Sequence, residues 1–251
     1  MRIALLTALY LGLTYNAAQG AEIKILTAGA FKPVVTALAP QFEQMTGHKL
    51  IIDNDTAGGL TKRIEAGEAF DVVFLPPAAL GALANKGLVA SEGQANVARV
   101  GIGVAVKEGA PVPEIGTTDA FKAALQKAKA IAVIDPKAGG SSGIYLADLF
   151  QKWGMTDVLR PKLVLVPGGL VATRLVNDEA DLALHQISEI IAVKGAKLVG
   201  PLPAEIQNFT VYRAGLAAKS GNREPAAAFI TLMQSPAAKA ILQEKGMEPP
   251  G

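Results

Sequence analysis

Apolar and polar positions alternate in short runs along most of the chain, and these runs are separated by longer stretches with apolar residues at helical spacing. Glu22-Ile-Lys-Ile-Leu26 alternates as a half-buried strand does. Phe31 to Thr46 carries Val34, Val35, Leu38, Phe42 and Met45 on one helical face and stops at Gly47, with Pro40 expected to kink or break it. Lys49 to Asp53 and Asp71 to Leu75 read as strands, the second ended by Pro76-Pro77, with a short helix from Leu60 to Glu65 between them. Val97 to Val106 and Asn208 to Ala217 read as long strands. Between these two come strands at Ala130 to Ile134, Lys162 to Val166 and Asp181 to Leu184. Helices are expected around Phe121 to Ala128, Gly143 to Trp153 and Leu170 to Asn177. Two helices close the chain, one after Asn222 and one capped by Ser235 with Pro236 in its first turn, ending at Gly246.

Repeated strand–helix–strand units predict an α/β fold with parallel sheets covered on both faces. No low-complexity linker divides the chain, so two lobes would have to be joined by strands. The segments near 97–106 and 208–217 are the natural crossings, giving one lobe from residues 21–100 plus 210–251 and a second from 101–209.

The start of the chain changes the picture of where such a fold works. Arg2 is the one charge before Glu22, an apolar run from Ile3 to Leu13 follows it, and Ala17, Ala18 and Gly20 come next. That order predicts a secretory signal peptide over residues 1–20, cleaved before Ala21. The apolar run is shorter than the ~20 residues a spanning helix needs. Half the chain is hydrophobic and 18% is charged, which is ample for real cores and excludes disorder. A formal charge of +2 gives no reason to expect nucleic acid or a charged membrane as partner. The chain has no cysteine, which removes disulfides, thiolate metal sites and lipid attachment at an N-terminal Cys. With two histidines, His48 and His185, no histidine-rich metal site is expected, and no cofactor is implied. A freely diffusing exported protein of this kind is expected in a Gram-negative periplasm.

Several runs taken together resemble the molybdate-binding proteins of ABC importers. They are Leu26-Thr-Ala-Gly-Ala-Phe31, Phe42-Glu-Gln-Met-Thr-Gly47, and Gly59-Leu-Thr-Lys-Arg-Ile-Glu-Ala-Gly67 with Phe70-Asp-Val-Val-Phe74. Asp135-Pro136 with Ser142-Gly-Ile-Tyr145, Arg174 to Leu184, and Ser235 to Gly246 continue the series. The resemblance covers essentially the whole of residues 21–251. It implies a two-lobed type II periplasmic binding protein with a ligand cleft between the lobes. It also implies capture of a small anion by hinge closure, and docking of a monomer on a membrane permease. In that family the loop after the first strand supplies a serine hydroxyl, and the matching position is Ala30, beside Gly29. A second serine falls within Thr56-Ala57-Gly58, nearest Ala57. Backbone amides are implied at Ser142 and near Gly169, and the family's later tyrosine falls at about Gln186, beside His185. Two hydroxyl donors are therefore missing, which points away from molybdate and toward a larger anion such as an organic carboxylate.

Each candidate also has a plainer reading. Thr56 to Gly59 is either an anion site at a helix start or an ordinary threonine cap. Gly139-Gly-Ser-Ser-Gly143, with Ser141 and Ser142, combines flexible backbone, hydroxyls and a helix start, and favours binding over a solvated loop. Arg174 offers a bidentate fork to a carboxylate but sits where a solvated arginine is common. His185 is a donor at the cleft edge or a buried histidine satisfied by backbone. Thr27 is a hydroxyl donor or a residue turned into the core, and Tyr145 is read as packing.

No catalytic spacing, nucleophile elbow or phosphate loop supports an enzyme, so none is expected. A ligand-sensing DNA-binding regulator is set aside because the chain opens with an export signal instead of a DNA-binding helical domain. A secreted enzyme of unrecognised type, or a sensor partner that presents ligand to a membrane receptor, remains the alternative to an importer component.

Overall fold

The computed structural model describes residues 20–250, so the signal segment expected over residues 1–20 falls, but for Gly20, outside the described residues. Nine strands form one sheet: β1 (Glu22–Ala28), β2 (Lys49–Asp55), β3 (Val72–Leu75), β4 (Ala95–Lys107), β5 (Ile131–Ile134), β6 (Leu163–Val166), β7 (Leu182–Gln186), β8 (Ala196–Pro201) and β9 (Phe209–Leu216). Their order is β2-β1-β3-β9-β4-β7-β5-β6, with β8 also on β4.

Strand β4 joins two halves of the sheet. Its first part, Ala95 to Gly101, pairs with β9, and its second, Ile102 to Ala105, pairs with β7. The expected parallel pairing holds at the outer strands, where β1 lies parallel to β2 and β3 and β5 lies parallel to β6 and β7. Both long strands run antiparallel to their neighbours instead. A strand that carries the chain across and one that brings it back must point in opposite directions, which is why they pair this way. Gln207 pins the crossing: its side chain accepts from the Ile102 amide at 2.9 Å and donates to the Ile102 carbonyl at 2.9 Å. Tyr145, on the far side, donates its hydroxyl to the Ile206 carbonyl at 2.6 Å.

Helices α1 (Lys32–Thr46), α2 (Ala57–Glu65), α3 (Pro77–Asn85), α9 (Arg223–Leu232) and α10 (Pro236–Glu244) cover the first half. Helices α4 (Thr118–Lys127), α5 (Ser141–Lys152), α6 (Thr156–Leu159), α7 (Thr173–Val176) and α8 (Ile187–Ile190) belong with the second. Each half has its own buried cores. Ile23, Phe31, Phe42, Phe74, Tyr212 and Phe229 meet in one, and Ile102, Phe121, Ile131, Leu146 and Leu184 meet in another. The partition supports a lobe division near residues 100 and 210, which we propose as the domain boundary.

Three local expectations are revised. Pro40 lies inside an unbroken α1, because it and Thr36 are exposed and water can satisfy the carbonyl it leaves free. The helix expected from Leu170 to Asn177 is the single turn Thr173–Val176. Thr173, Arg174 and Leu175 donate to residues three back, so the segment winds too tightly for a longer α-helix. Pro76-Pro77 ends β3 as expected but also starts α3, with Pro77 in its first turn.

Phe31 links the first core to the cleft: its ring stands 4.9 Å from Phe74 and 5.7 Å from Tyr212. Replacing a fully buried Phe by Ala removes this packing and leaves a cavity. Phe31→Ala is expected to cost about 3–5 kcal/mol of stability, measured by urea unfolding.

Candidate functional site

The loops at the ends of β1, β2, β5 and β7 converge between the two halves, around a cavity of about 130 Å³. Three helical starts contribute to its wall. Gly29 and Ala30 belong to the one-turn helix after β1, Thr56 and Ala57 open α2, and Ser141 and Ser142 open α5. The first amides of a helix lack intrahelical partners, so such starts favour an anion. Gly169, His185 and Gln186 complete the set drawn from the expected residues. Ala30 and Ala57 present methyl groups where hydroxyls were missing from the sequence.

Three expected ligand residues lie outside this lining. Thr27 is fully buried and its hydroxyl donates to the Ala28 carbonyl at 3.1 Å, since strand alternation turns it into the core. Gly58 faces the opposite lobe, its amide donating to the Gly139 carbonyl at 3.1 Å. Arg174 is held by Glu179, its Nη1 donating to Oε2 at 2.7 Å. It sits on α7, away from the cavity.

The lobes touch on two sides of the cavity. Thr56 Oγ1 donates to the Ala138 carbonyl at 2.5 Å while accepting from the Gly59 amide at 2.9 Å. The cap reading of Thr56 is seen directly, and the same hydroxyl also reaches across the cleft. Opposite, Ser188 donates its hydroxyl to the Ala30 carbonyl at 2.8 Å. A second, wider space of about 870 Å³ shares Gly29, Asn54, Gly169 and Glu189 with the cavity and carries Lys32 and Lys245 on its wall. It is the mouth of the cleft, with Lys32 donating to Asn54 at 2.7 Å.

The chemistry centres on two residues of one lobe. His185 is the penultimate residue of β7 and Glu189 lies on the short α8, and His185 Nε2 stands 3.2 Å from Glu189 Oε2. Both residues are buried. Burial pushes the Glu189 carboxyl up to about 8 and the His185 imidazole down to about 3, because each loses water that would solvate its charged form. At neutral pH the pair thus holds its proton on the carboxyl. Tyr212, also in the lining, is raised by burial and then by the nearby Glu189 charge. Among the described residues His185 Nδ1 and Gln186 Oε1 are buried and lack a hydrogen-bond partner, while Gln186 Nε2 donates to Thr210 at 2.9 Å.

Sequence reasoning did not single out Glu189, Tyr212, Asn54 or Asp55, all of which line the cavity. The His185-x-x-x-Glu189 spacing was the available signal. It would fold the carboxyl back over the imidazole, provided a helical turn follows the strand.

Two lobes of sheet and helix around an anion-suited cleft define the type II periplasmic-binding-protein architecture. The chain belongs to the bacterial extracellular solute-binding protein family, which matches residues 23–248. It is 31% identical over 233 residues to an aconitate isomerase of Pseudomonas sp, covering 90% of this chain and 87% of that one. It is 25% identical over 257 residues to the molybdate-binding protein ModA of Azotobacter vinelandii, covering 96% of each. The solved structure of the A. vinelandii periplasmic molybdate-binding protein superposes with a TM-score of 0.77 at 22% identity, covering 91% of this chain and all of that one. The resemblance read from the sequence is thus borne out at the level of family and fold. The expectation of no enzyme does not follow from it, since one relative of this family is named as an isomerase.

A raised carboxyl has a definite pH signature. In the unfolded chain Glu189 ionises near pH 4.5, but in the fold it keeps its proton to about 8. The folded state then binds more protons over that window, so its stability falls as pH rises. Relative to Glu189→Gln, the wild type is expected to lose on the order of 1 kcal/mol per pH unit between about pH 5 and 8, followed by thermal unfolding. A difference that stays flat across pH 5 to 8 would show that Glu189 is ionised beside a neutral imidazole over that range instead.

Proposed function

We propose that the cleft takes a small polycarboxylate of the aconitate class and that the protein isomerises it outside the cytoplasm. The observation that carries this reading is the His185–Glu189 pair, an acid–base couple buried in a cavity otherwise made of amides, hydroxyls and methyl groups. An anion that is only held needs donors, and a titratable carboxyl against it is a liability unless it moves a proton. The Pseudomonas relative named aconitate isomerase, similar over nearly the whole chain, supports the substrate class and the reaction. Loss of hydroxyls at Ala30 and Ala57 supports a ligand larger than a tetrahedral oxyanion. Ser141, Ser142 and the amides of the three helical starts would hold its carboxylates, and Lys32 and Lys245 at the mouth would draw it in.

A second reading follows from the family: the same anion is bound by hinge closure and delivered unchanged to the permease of an ABC importer. The contacts of Thr56 with Ala138 and of Ser188 with Ala30, which tie one lobe to the other, favour a closing cleft of this kind. Secretion by a cleaved signal peptide and action as a monomer belong to both readings.

Incubating the protein with cis- and trans-aconitate and following the vinyl and methylene protons by NMR separates them. Interconversion well above the protein-free rate is the expected result. Binding by calorimetry without interconversion would establish delivery over catalysis. Silence toward aconitate and tricarballylate, with stabilisation by molybdate, would overturn the polycarboxylate reading altogether.

A further inference from the structure

Isomerising an unsaturated tricarboxylate by moving its double bond requires a base at the methylene carbon beside a carboxylate. The electron pair of that C–H bond becomes a new C=C bond to the central carbon. The old π pair leaves the central carbon and takes a proton at its far end. One C–H bond breaks and one forms, so a single proton-carrying group closes the balance with no oxidant and no cofactor.

The titratable groups lining the cavity are Asp55, His185, Glu189 and Tyr212. Asp55 is engaged elsewhere: its Oδ1 accepts from the Thr56 amide at 2.7 Å and its Oδ2 lies 3.8 Å from Arg63. Tyr212 is only 2% exposed and its phenol resists ionisation, so it remains a neutral donor. Glu189 differs in that its two oxygens face different ways. Oε2 meets the imidazole at 3.2 Å, whereas Oε1 points toward Gly29 across the cleft, where a Cβ would stand only 2.7 Å from it. Glu189 also lines both the cavity and the wider mouth, so the carboxyl sits where a ligand must pass.

Resting on the isomerase reading, we infer that the Glu189 carboxylate is the catalytic base that takes and returns the substrate proton, with His185 as the residue that positions it. The Nε2–H of His185 donates to Oε2 once Glu189 ionises, which holds Oε1 toward the ligand and leaves Nδ1 as the unpartnered atom. Gly29 is required opposite Oε1 because a Cβ there would collide with the carboxylate itself. The groups facing Glu189 are His185 from β7, Tyr212 from β9 and the uncharged Gly29 loop. Of the charged groups in the mouth, Lys32 is turned to Asn54 and Lys245 is paired with Glu244 at 2.7 Å.

The test uses the intact chain with cis-aconitate as substrate and tricarballylate, which has no double bond, as the binding probe. Glu189→Gln is expected to lower turnover by roughly 100-fold or more while tricarballylate affinity changes no more than a few-fold. His185→Gln is expected to keep measurable turnover but to move the pH at which the rate levels off, which a merely structural residue would not do. In the wild type the rate should rise with pH, be half-maximal near 8 and level off above it, as Glu189 ionises. This profile keeps the assignment testable even if Glu189→Gln fails to fold. Turnover within about threefold of wild type in Glu189→Gln, or a wild-type rate that does not change between pH 6 and 8.5, would overturn the assignment. Absence of turnover in the wild type itself would instead overturn the isomerase reading on which it rests.

Discussion

The lobes can come together only because neither carries a side chain at their nearest approach. A Cβ on Gly58 would stand 2.8 Å from the Gly139 α-carbon, and one on Gly139 would stand 2.7 Å from the Gly58 α-carbon. Gly139 also has φ +77, a left-handed conformation that glycine adopts at little cost. With backbone against backbone, the Gly58 amide reaches the Gly139 carbonyl and Thr56 reaches the Ala138 carbonyl. That contact sets how far the starts of α2 and α5 lie from each other, and so the width of the cavity they wall.

Depth is set from the other side. The β7–α8 turn places His185, Gln186 and Glu189 beneath the Gly29–Ala30 loop, and Ser188 fastens the turn to Ala30. Burying an ionisable pair there is costly unless one proton neutralises it, and the directions of the two shifts agree with a neutral pair. The enclosed environment that would suit anion capture, walled by amides, is the same environment that raises the Glu189 carboxyl toward the neutral range. A binding fold can therefore take up proton-transfer chemistry with few changes, and fold alone does not separate the two.

Much of this was legible in the chain. The alternating and helical periods predicted most of the strands and the longer helices, because those elements bury one face and the period records it. The hydroxyl-poor ligand shell was visible at Ala30 and Ala57, and the glycine-serine run at 139–143 sits where a cleft would need it. Glu189 was not legible. Its helix is one turn long, too short to show a period, and its partner His185 reads as the end of a strand. Tyr212 and Asn54 lie on strands whose alternation shows only which face they occupy. That the face opens on the cleft is a property of the tertiary fold. Arg174 misled for the converse reason: its pairing with Glu179 is local, but the tightness of the turn that joins them depends on i-to-i+3 bonding that sequence does not display.

Thr56 makes two hydrogen bonds of different kinds, and only one of them joins the lobes. The bond it accepts from Gly59 lies within its own helix, whereas the one it donates to Ala138 spans the gap. Separating the lobes would thus leave α2 capped and folded, with water taking over from the Ala138 carbonyl at Thr56, from the Gly139 carbonyl at the Gly58 amide and from the Ala30 carbonyl at Ser188. On the proposed hinge reading, opening would then be a rigid-body event with a small exchange of solvent at its edge, and the start of α2 would present the same surface in the open form as in the closed one.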